Sequence, residues 1–237
     1  MVYRVRFFIS LFLITIFIGA CSRRPLLNLD SAPSVLQSLD QLSPQITSFE
    51  GFGNITFSER GARQTGRLDA SWDSSGKFEA YIYTPFGSTV ASVKGDSFGG
   101  RVMADDEVFY FGIDDYMIIL PFSWGRNVTF AQFIHYFTGR MPHTSVMSRD
   151  PDLLEVEGSN FRAVWRERRF NVSATISRRS EEIQSVQFDY NRGNDTGWTI
   201  RYRNFDKGLA REIAIEDDSR NYILIRYNEI SAEQVPQ

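Results

Sequence analysis

The chain has little of what most enzyme and disulfide chemistry requires. Its 237 residues include one cysteine and only two histidines, His135 and His143. A single cysteine cannot close a disulfide within the chain, so the fold must be held by its core alone. Neither histidine has a neighbour at the spacing of metal ligands, and no phosphate-binding glycine loop with its lysine is present. We therefore expect no metal and no cofactor.

An excess of positive charge is also missing. The chain has 26 lysines and arginines against 29 aspartates and glutamates, which gives a formal net charge of -3. Nucleic-acid binding requires a clustered basic surface. We therefore expect no nucleic-acid partner.

Two features that suggest catalysis have simpler structural explanations. Gly95 to Gly99 matches the G-x-S-x-G motif of hydrolases, in which a helix follows the nucleophile. A strand pattern follows Ser97 instead, so we predict a hairpin turn there. Three pairs of adjacent carboxylates are typical of solvated turns and do not by themselves face each other across a cleft: Asp105-Asp106, Asp114-Asp115 and Asp217-Asp218. We expect no enzymatic activity, and the enzymatic alternative is a surface hydrolase that uses Ser97.

The first 21 residues have a different organisation from the rest. Arg4 and Arg6 precede an apolar run from Phe7 to Ile18, and small residues then lead to the single cysteine, Cys21. Positive charge, a short apolar core and a small-residue cleavage site are the anatomy of a secretory signal peptide. The apolar run is shorter than the roughly 20 residues that a bilayer span needs.

A cysteine directly after Gly-Ala resembles the lipobox of bacterial lipoproteins. The resemblance implies that residues 1–20 are removed and that Cys21 becomes an acylated N-terminus, with two acyl chains on sulfur and a third, such as palmitate, on nitrogen. Several acyl chains hold a protein firmly at a membrane. Ser22 stands where the sorting rule of such proteins reads aspartate as inner-membrane retention, which implies the outer membrane and its periplasmic face. The alternative is an uncleaved anchor with a buried cysteine.

The remaining chain is predicted to be a polar, lipidated tether over residues 21–33 and a single domain over residues 34–232. No composition shift, repeat or low-complexity tract marks a further boundary. Aromatic residues make up 14% of the chain and mostly alternate with polar ones, which favours strands. Such alternation runs from 49–57 to 222–230, with less regular strands expected at 98–104, 107–111 and 116–120.

Two segments carry a helical period instead. Ser34 can cap a short helix that ends before Pro44, and Thr129 can cap a second helix, at 129–138, that Gly139 can end before Pro142. The apolar stripes of these helices are Val35, Leu36, Leu39 and Leu42 in the first and Phe130, Phe133, Ile134 and Phe137 in the second.

These patterns predict a mainly β fold. An antiparallel sheet of about eleven strands with one dry face must curl on itself or be covered. Because only two short helices can serve as cover, we predict an open half-barrel with a helical lid over an apolar cavity. Candidates to line an acyl-binding cavity are Leu68, Trp72, Phe78, Ile82, Val90, Phe133 and Ile134. The alternative for each is an ordinary core position.

The turn Pro85-Phe86-Gly87 places an apolar ring at a loop tip. Sinking this ring into a membrane interface would contribute about 1.5–3 kcal/mol, which can orient a tethered domain but cannot anchor it. The alternative is that Phe86 folds back over the sheet edge as a small satellite core.

Several segments together resemble the LolB-like outer-membrane lipoproteins of the LolA/LolB fold. Ser48–Phe57 has the form Ser-Phe-Glu-Gly-x-Gly-x-Ile-x-Phe, and a later strand ends in Trp72. Thr84–Thr89 is similar to the family's Pro-Leu-Gly-Ser-Thr turn, and Gly139–Pro142 is similar to the Gly-x-x-Pro ending of its central helix. Tyr202–Asp206, before the last two strands, also fits.

The resemblance implies an eleven-stranded half-barrel with a helical lid, working as a monomer. It implies that the protein receives lipoproteins from a LolA-like periplasmic carrier, binds their acyl chains and inserts them into the outer membrane without a covalent step. Membrane contact at Phe86 is implied too, because the family has an exposed leucine there. The alternative is a lipoprotein of the same fold that binds another amphiphile or serves as an accessory subunit of envelope assembly.

Overall fold

The computed structural model describes residues 46–104, 106–117, 127–139, 147, 149–190 and 197–234. The predicted signal peptide, Cys21, the tether and the helix after Ser34 lie outside the described residues. His143 and residues 118–120 of one predicted strand lie outside them as well.

The described chain is mostly β-strand with one α-helix. The strands are β1 (Ile46–Glu59), β2 (Ala62–Asp73), β3 (Phe78–Tyr83), β4 (Thr89–Gly95), β5 (Gly99–Ala104), β6 (Glu107–Gly112), β7 (Leu153–Glu157), β8 (Asn160–Arg166), β9 (Phe170–Ser177), β10 (Ile183–Tyr190), β11 (Trp198–Asp206), β12 (Leu209–Asp217) and β13 (Tyr222–Gln234). The helix α1 (Phe130–Phe137) lies between β6 and β7 in the chain. Within the described ranges, no helix has the length and apolar character that crossing a bilayer would need.

All thirteen strands form one antiparallel sheet made of two meanders. Strands β1 to β6 pair in chain order, and β7 to β13 do the same. The two meanders are joined where β1 pairs with β13, from Ile46 opposite Gln234 to Ser58 opposite Tyr222. We call this pairing the seam. Because β6 and β7 are the two ends of the strand order, the sheet is open and is not closed into a barrel.

The alternation along the strands gives the sheet one dry face. In β3, Phe78, Ala80 and Ile82 are buried, whereas Glu79 and Tyr81 between them are only half-buried. Successive side chains of a strand point to opposite faces, so this period gathers the apolar side chains on one side. The core lies on that dry face, and the opposite face is polar.

The contacts of α1 require the dry face to be concave. Rings of α1 pack against Phe111 in β6 and Trp198 in β11. These strands stand eight positions apart in the sheet order, which is roughly 38 Å in a flat sheet at about 4.8 Å per strand. A helix of eight residues is only about 12 Å long. The sheet therefore curls around α1, which covers its concave face.

The predicted fold class is confirmed: the chain is mainly β, with an open, curled antiparallel sheet and a helix over its dry face. The sheet has thirteen strands in the described residues, two more than the predicted number of about eleven. Strand β7 was not predicted, since it is a short edge strand in which no residue is buried. In the strand predicted at 116–120, Tyr116 forms only an isolated bridge to Thr129 and belongs to the connection that leads into α1.

A glycine lets the two strands of the seam approach each other closely. The register of β1 against β13 shifts between Phe52 and Gly53. A Cβ atom on Gly53 would overlap the carbonyl oxygen of Arg226 and lie 2.8 Å from the Cα atom of Tyr227. Both obstacles are backbone atoms, which cannot swing aside as a side chain can. The seam therefore needs a residue without a side chain at this position.

We expect Gly53→Ala to lower the free energy of unfolding by about 2 kcal/mol or more, because the seam must separate to admit the methyl group. Chemical denaturation followed by circular dichroism measures the change. The control is Glu50→Ala, at an exposed position of the same strand, which should change stability by less than about 0.5 kcal/mol. A Gly53→Ala variant as stable as the parent would contradict the close approach of the two backbones.

Candidate functional site

Helix α1 begins and ends where the sequence predicts. The Thr129 hydroxyl accepts a hydrogen bond from the Gln132 backbone N–H at 3.3 Å, and the Gln132 side-chain oxygen accepts one from the Thr129 N–H at 3.1 Å. This reciprocal capping box satisfies two backbone donors that a helix start leaves free. At the other end, Gly139 has a φ of +66°, which ends the helix in a conformation that suits glycine. The predicted apolar stripe is buried, together with Tyr136.

Aromatic contacts fasten α1 to both meanders. Phe137 meets Phe133 at 4.8 Å and Phe78 of β3 at 5.9 Å, in each case edge to face. Tyr136 packs edge-on against Trp198 of β11 at 6.0 Å. Aromatic pairs of this kind contribute about 0.5–1.5 kcal/mol each beyond the area that they bury. Helix α1 is thus a cover held on both sides by rings.

The first residue of α1 rests on two glycines. Gly95 of β4 and Gly100 of β5 are directly paired. A Cβ atom on Gly95 would lie 2.5 Å from the Cε1 atom of Phe130, and one on Gly100 would overlap the same ring. Phe111 stacks beside the ring at 6.2 Å. The glycine pair therefore forms a flat seat for the helix at this part of the sheet.

Most of the predicted cavity-lining residues belong to the buried core. Buried side chains are Leu68, Phe78, Ile82, Phe133 and Ile134, while Trp72 is half-buried and packs against them. Val90 differs, because it is 44% exposed. It is the extra residue where the pairing of β3 with β4 shifts register, so the regular alternation does not place it on the dry face. Val90 thus lies outside the buried set, and the lining role of the other six stays a prediction.

Three tyrosines place hydroxyl groups within the apolar core: Tyr136, Tyr202 and Tyr227. None of the three is a site residue predicted from the sequence, although Tyr202 and Tyr227 lie two residues after buried Ile200 and Ile225, on the same strand faces. The Tyr227 hydroxyl donates to the carbonyl oxygen of Phe137 at 2.5 Å and so ties β13 to α1.

The Tyr136 hydroxyl has no hydrogen-bond partner within the part of the chain that the structure describes. Burial raises the pKa of Tyr136, Tyr202 and Tyr227 above the ordinary tyrosine value, because a phenolate inside the core would lose its hydration. The interior under α1 is therefore apolar but contains the Tyr136 hydroxyl, for which the described residues supply no hydrogen bond.

The turn at residues 84–88 holds Phe86 away from the domain. The Thr84 N–H donates to the carbonyl oxygen of Ser88 at 2.8 Å, and the Gly87 N–H donates to that of Thr84 at 3.0 Å. Gly87 has a φ of +89°, which the tight turn requires. Pro85 and Gly87 are exposed, and Phe86 is 96% exposed. The ring does not fold back over the sheet edge, and its insertion into a membrane stays a prediction.

A groove of about 940 Å³ crosses the polar face of β3 to β6. Its floor is the backbone of one row of paired residues, in which Phe78 pairs with Gly95, Gly95 with Gly100, and Gly100 with Phe111. The next row, which points to the polar face, is Glu79, Lys94, Arg101 and Tyr110, and the turn residues Asp96 and Phe98 complete the wall. Of the predicted cavity residues, only Phe78 borders this groove. The glycine floor separates it from the Phe130 ring on the other face.

The residues considered for catalysis lie in turns or accept hydrogen bonds that stabilise the turns. Ser97 lies in the turn between β4 and β5, and a strand follows it, as predicted. Asp115 accepts from the Gly112 N–H, and Asp218 accepts from the Gly197 N–H. The prediction of a solvated turn is wrong for Asp217, which is buried and accepts from both the backbone and the side chain of Asn221. Within the described ranges, no group of three or more potential ligand side chains could hold a metal.

Solved structures share this architecture. The chain is similar to the crystal structure of a LolA superfamily protein from Nitrosomonas europaea, with a TM-score of 0.57 and 15% identity over 86% of this chain and 94% of that one. It is also similar to a putative outer membrane lipoprotein-sorting protein domain from Vibrio parahaemolyticus, with a TM-score of 0.57 and 9% identity over 86% of this chain and 93% of that one. A third similar structure is a DUF1329 family protein from Desulfovibrio piger, with a TM-score of 0.56 and 8% identity over 88% of this chain and 95% of that one.

These likenesses show that the chain shares the fold of these structures. No protein-family model matches the sequence, and a comparison with curated proteins gives no match. The predicted fold is confirmed, and the LolB-like assignment stays a prediction.

Substitution of Tyr136 tests whether its buried hydroxyl forms a hydrogen bond. We expect Tyr136→Phe to raise the free energy of unfolding by about 1 kcal/mol, because it removes a buried polar group that gains no hydrogen bond. Tyr227→Phe is the matched control and should lower it by about 1–2 kcal/mol, since the Phe137 carbonyl then loses its donor. Denaturation curves of the three proteins give both values. A loss of stability in Tyr136→Phe would show that its hydroxyl is bonded.

The buried tyrosines also predict alkaline unfolding. Below about pH 10, all three hydroxyls are protonated in both states, so they add no pH dependence. Above it, the unfolded chain releases these protons and the folded chain keeps them, so the stability falls as the pH rises. Each tyrosine contributes up to about 1.4 kcal/mol per pH unit. Denaturation midpoints measured from about pH 9 to about pH 11 should drop steeply at the upper end, and a flat profile would contradict the burial.

Proposed function

We propose that this protein is a lipoprotein of the bacterial envelope, anchored through Cys21 at the periplasmic face of the outer membrane. In this proposal it accepts lipoproteins from a LolA-like periplasmic carrier, binds their acyl chains in the concave interior and passes them to the membrane. The observation that carries the proposal is an open, curled sheet whose apolar face is covered, within the described residues, by one eight-residue helix.

The geometry supports an interior that can exchange its contents. Helix α1 is joined to the sheet mainly through side-chain rings, and rings can shift without breaking a strand pairing. The unpaired Tyr136 hydroxyl lies in this interior. An acyl chain linked through an ester or amide carries a carbonyl oxygen, which could accept the hydrogen bond that Tyr136 leaves free. Similarity to lipoprotein-sorting folds supports the same choice of ligand.

The membrane step is assigned to Phe86. The Phe86 ring is 96% exposed on a hydrogen-bonded turn. Its transfer from water into an apolar phase is favourable by about 1.5–3 kcal/mol. That energy can hold the domain at the bilayer during release of a chain. No covalent chemistry is involved: direction comes from affinity, and a difference of about 1.4 kcal/mol between carrier, protein and membrane gives a tenfold bias at each step.

The test measures transfer of a labelled lipoprotein from a periplasmic carrier, through the anchored protein, into membrane vesicles. Phe86→Glu should slow transfer about tenfold or more while unfolding is unchanged, because the side chain is exposed and only its membrane contact is lost. Phe86→Leu, which keeps an apolar tip, should stay close to the parent rate. Val156→Glu controls for a new charge in place of another exposed apolar side chain, because Val156 is 43% exposed in the edge strand β7.

The possible results separate the two functions considered. Normal transfer by Phe86→Glu would refute the role of the turn. If the protein takes up fatty probes but transfers no lipoprotein at all, it binds another amphiphile or serves as an accessory subunit of envelope assembly. If it takes up no fatty probe, the acyl-binding interior is refuted.

A further inference from the structure

The groove on the polar face is more basic than the chain as a whole. Three cationic side chains, Lys77, Lys94 and Arg101, line it together with two carboxylates, Glu79 and Asp96, in a chain whose formal net charge is -3. Elsewhere on this face, several cations are matched by an acid on the neighbouring strand. In a second groove, of about 280 Å³, Arg226 lies 2.9 Å and Arg203 lies 3.7 Å from Glu212.

Both carboxylates of the first groove are already engaged. Glu79 is 3.2 Å from Lys77 and accepts a hydrogen bond from the Tyr81 hydroxyl at 3.1 Å. Asp96 accepts from the backbone N–H groups of Phe98 and Gly99, at 2.8 and 3.2 Å. Glu79 also lies directly opposite Lys94 in the pairing of β3 with β4, so Lys77 and Lys94 share one carboxylate. The three cations of the groove therefore exceed its two acids by one charge.

Lys94 and Arg101 are paired directly opposite each other on β4 and β5. Like charges opposite each other in an antiparallel pair are destabilising. The Lys94 ammonium lies 5.0 Å from the centre of the Tyr81 ring, which offers it some compensation, and Arg101 has no ion-pair partner within the described part of the chain. An anion placed between the two cations would remove this repulsion.

Aromatic side chains stand at the rim of the same groove. Phe98 is 85% exposed and Tyr110 is 75% exposed. The turn that carries Phe98 is fixed by the two hydrogen bonds to Asp96. Exposed aromatic rings next to lysine and arginine are typical of surfaces that lie in the headgroup region of a membrane.

The position of the groove favours a membrane over a soluble anion. Strand β1 begins at Ile46 beside the turn that follows β2, because the Ser74 N–H donates to the carbonyl oxygen of Thr47. This is the end of the sheet at which β4 finishes and Phe98 lies. The chain that leads back to Cys21 therefore leaves the sheet at the groove end. Phe86 is at the other end of β4, whose seven residues span roughly 23 Å.

We propose that this groove binds the phosphate groups of anionic phospholipids at the bilayer surface. Lys94 and Arg101 contact the phosphate groups, and Phe98 enters the interface beside them. Docking through the groove and insertion of Phe86 are two different orientations of the tethered domain, because the two features lie at opposite ends of β4. The inference rests on the proposed lipid anchor but not on acyl transfer, since it uses a different face of the sheet and different residues.

The experiment uses the full lipidated chain in vesicles whose lipids carry brominated tails, which quench nearby tryptophan fluorescence. Phe98→Trp reports the depth of the turn, and the parent protein supplies the background from its own tryptophans. We expect extra quenching from position 98 in vesicles that contain phosphatidylglycerol and little in vesicles of phosphatidylcholine alone. Raising the salt concentration should reduce the quenching, since salt screens surface charges.

The charge test adds Lys94→Glu and Arg101→Glu to Phe98→Trp. Each cation near an anionic surface strengthens binding roughly fivefold, so losing both should lower the ratio of docked to free domain about 25-fold or more. The matched control is Arg63→Glu with Arg67→Glu, two exposed cations of β2 outside the groove, which should keep the quenching. Circular dichroism and thermal unfolding confirm that each variant is folded.

Four results would overturn the proposal. These are equal quenching in neutral and anionic vesicles, no effect of the groove substitutions, an equal effect of the control substitutions, and binding of soluble glycerol phosphate or polyglutamate with no quenching in any vesicle. The last result would indicate a soluble anion or an acidic protein partner instead. Phe86→Glu should leave the quenching unchanged, so failure of lipoprotein transfer and failure of groove docking can be told apart.

Discussion

The structure depends on how a wide sheet with one apolar face keeps that face out of water. Thirteen strands in an open sheet expose far more apolar surface than an eight-residue helix could cover if the sheet were flat. Curling solves this, because it brings strands from both meanders within reach of α1. The rings of Phe137 and Tyr136 then contact opposite sides of the concavity. The curvature and the single cover are therefore one solution to one constraint.

The same solution leaves the interior with a mixed character. Most of it is aromatic and aliphatic, as a stable core requires, but the Tyr136 hydroxyl remains without a bond in the described part of the chain. A protein selected for stability alone would have phenylalanine there, because an unsatisfied buried hydroxyl costs about 1–3 kcal/mol. Departures of this kind, where local stability is given up, are expected at functional positions.

The sequence predicts the helix and the strands better than it predicts which strands pair with each other. A period of two in β3 and β9 identifies which residues face the core, and Thr129 with Gly139 marks the limits of α1. The period says nothing about which strands pair over long distances, so the seam between β1 and β13 is not visible in it. A bulge shifts the alternation, which explains the misplacement of Val90.

Among the candidate sites, too, only a feature that is local in sequence could be predicted. Phe86 could be identified because the turn residues around it are local in sequence. The basic groove could not, since its floor exists only after four strands align Phe78, Gly95, Gly100 and Phe111 in one row. The unsatisfied hydroxyl of Tyr136 was equally hidden, because it depends on what surrounds the helix and not on the helix pattern.

The seam has a consequence for how the protein is made. Strand β1 is the first strand of the sheet in the chain and β13 the last, so the two halves cannot join until the whole domain has been synthesised. Until then β1 presents an unpaired edge to other chains, and contacts this distant in sequence form slowly. The unfinished chain is thus exposed to aggregation for longer than a protein whose contacts are local in sequence.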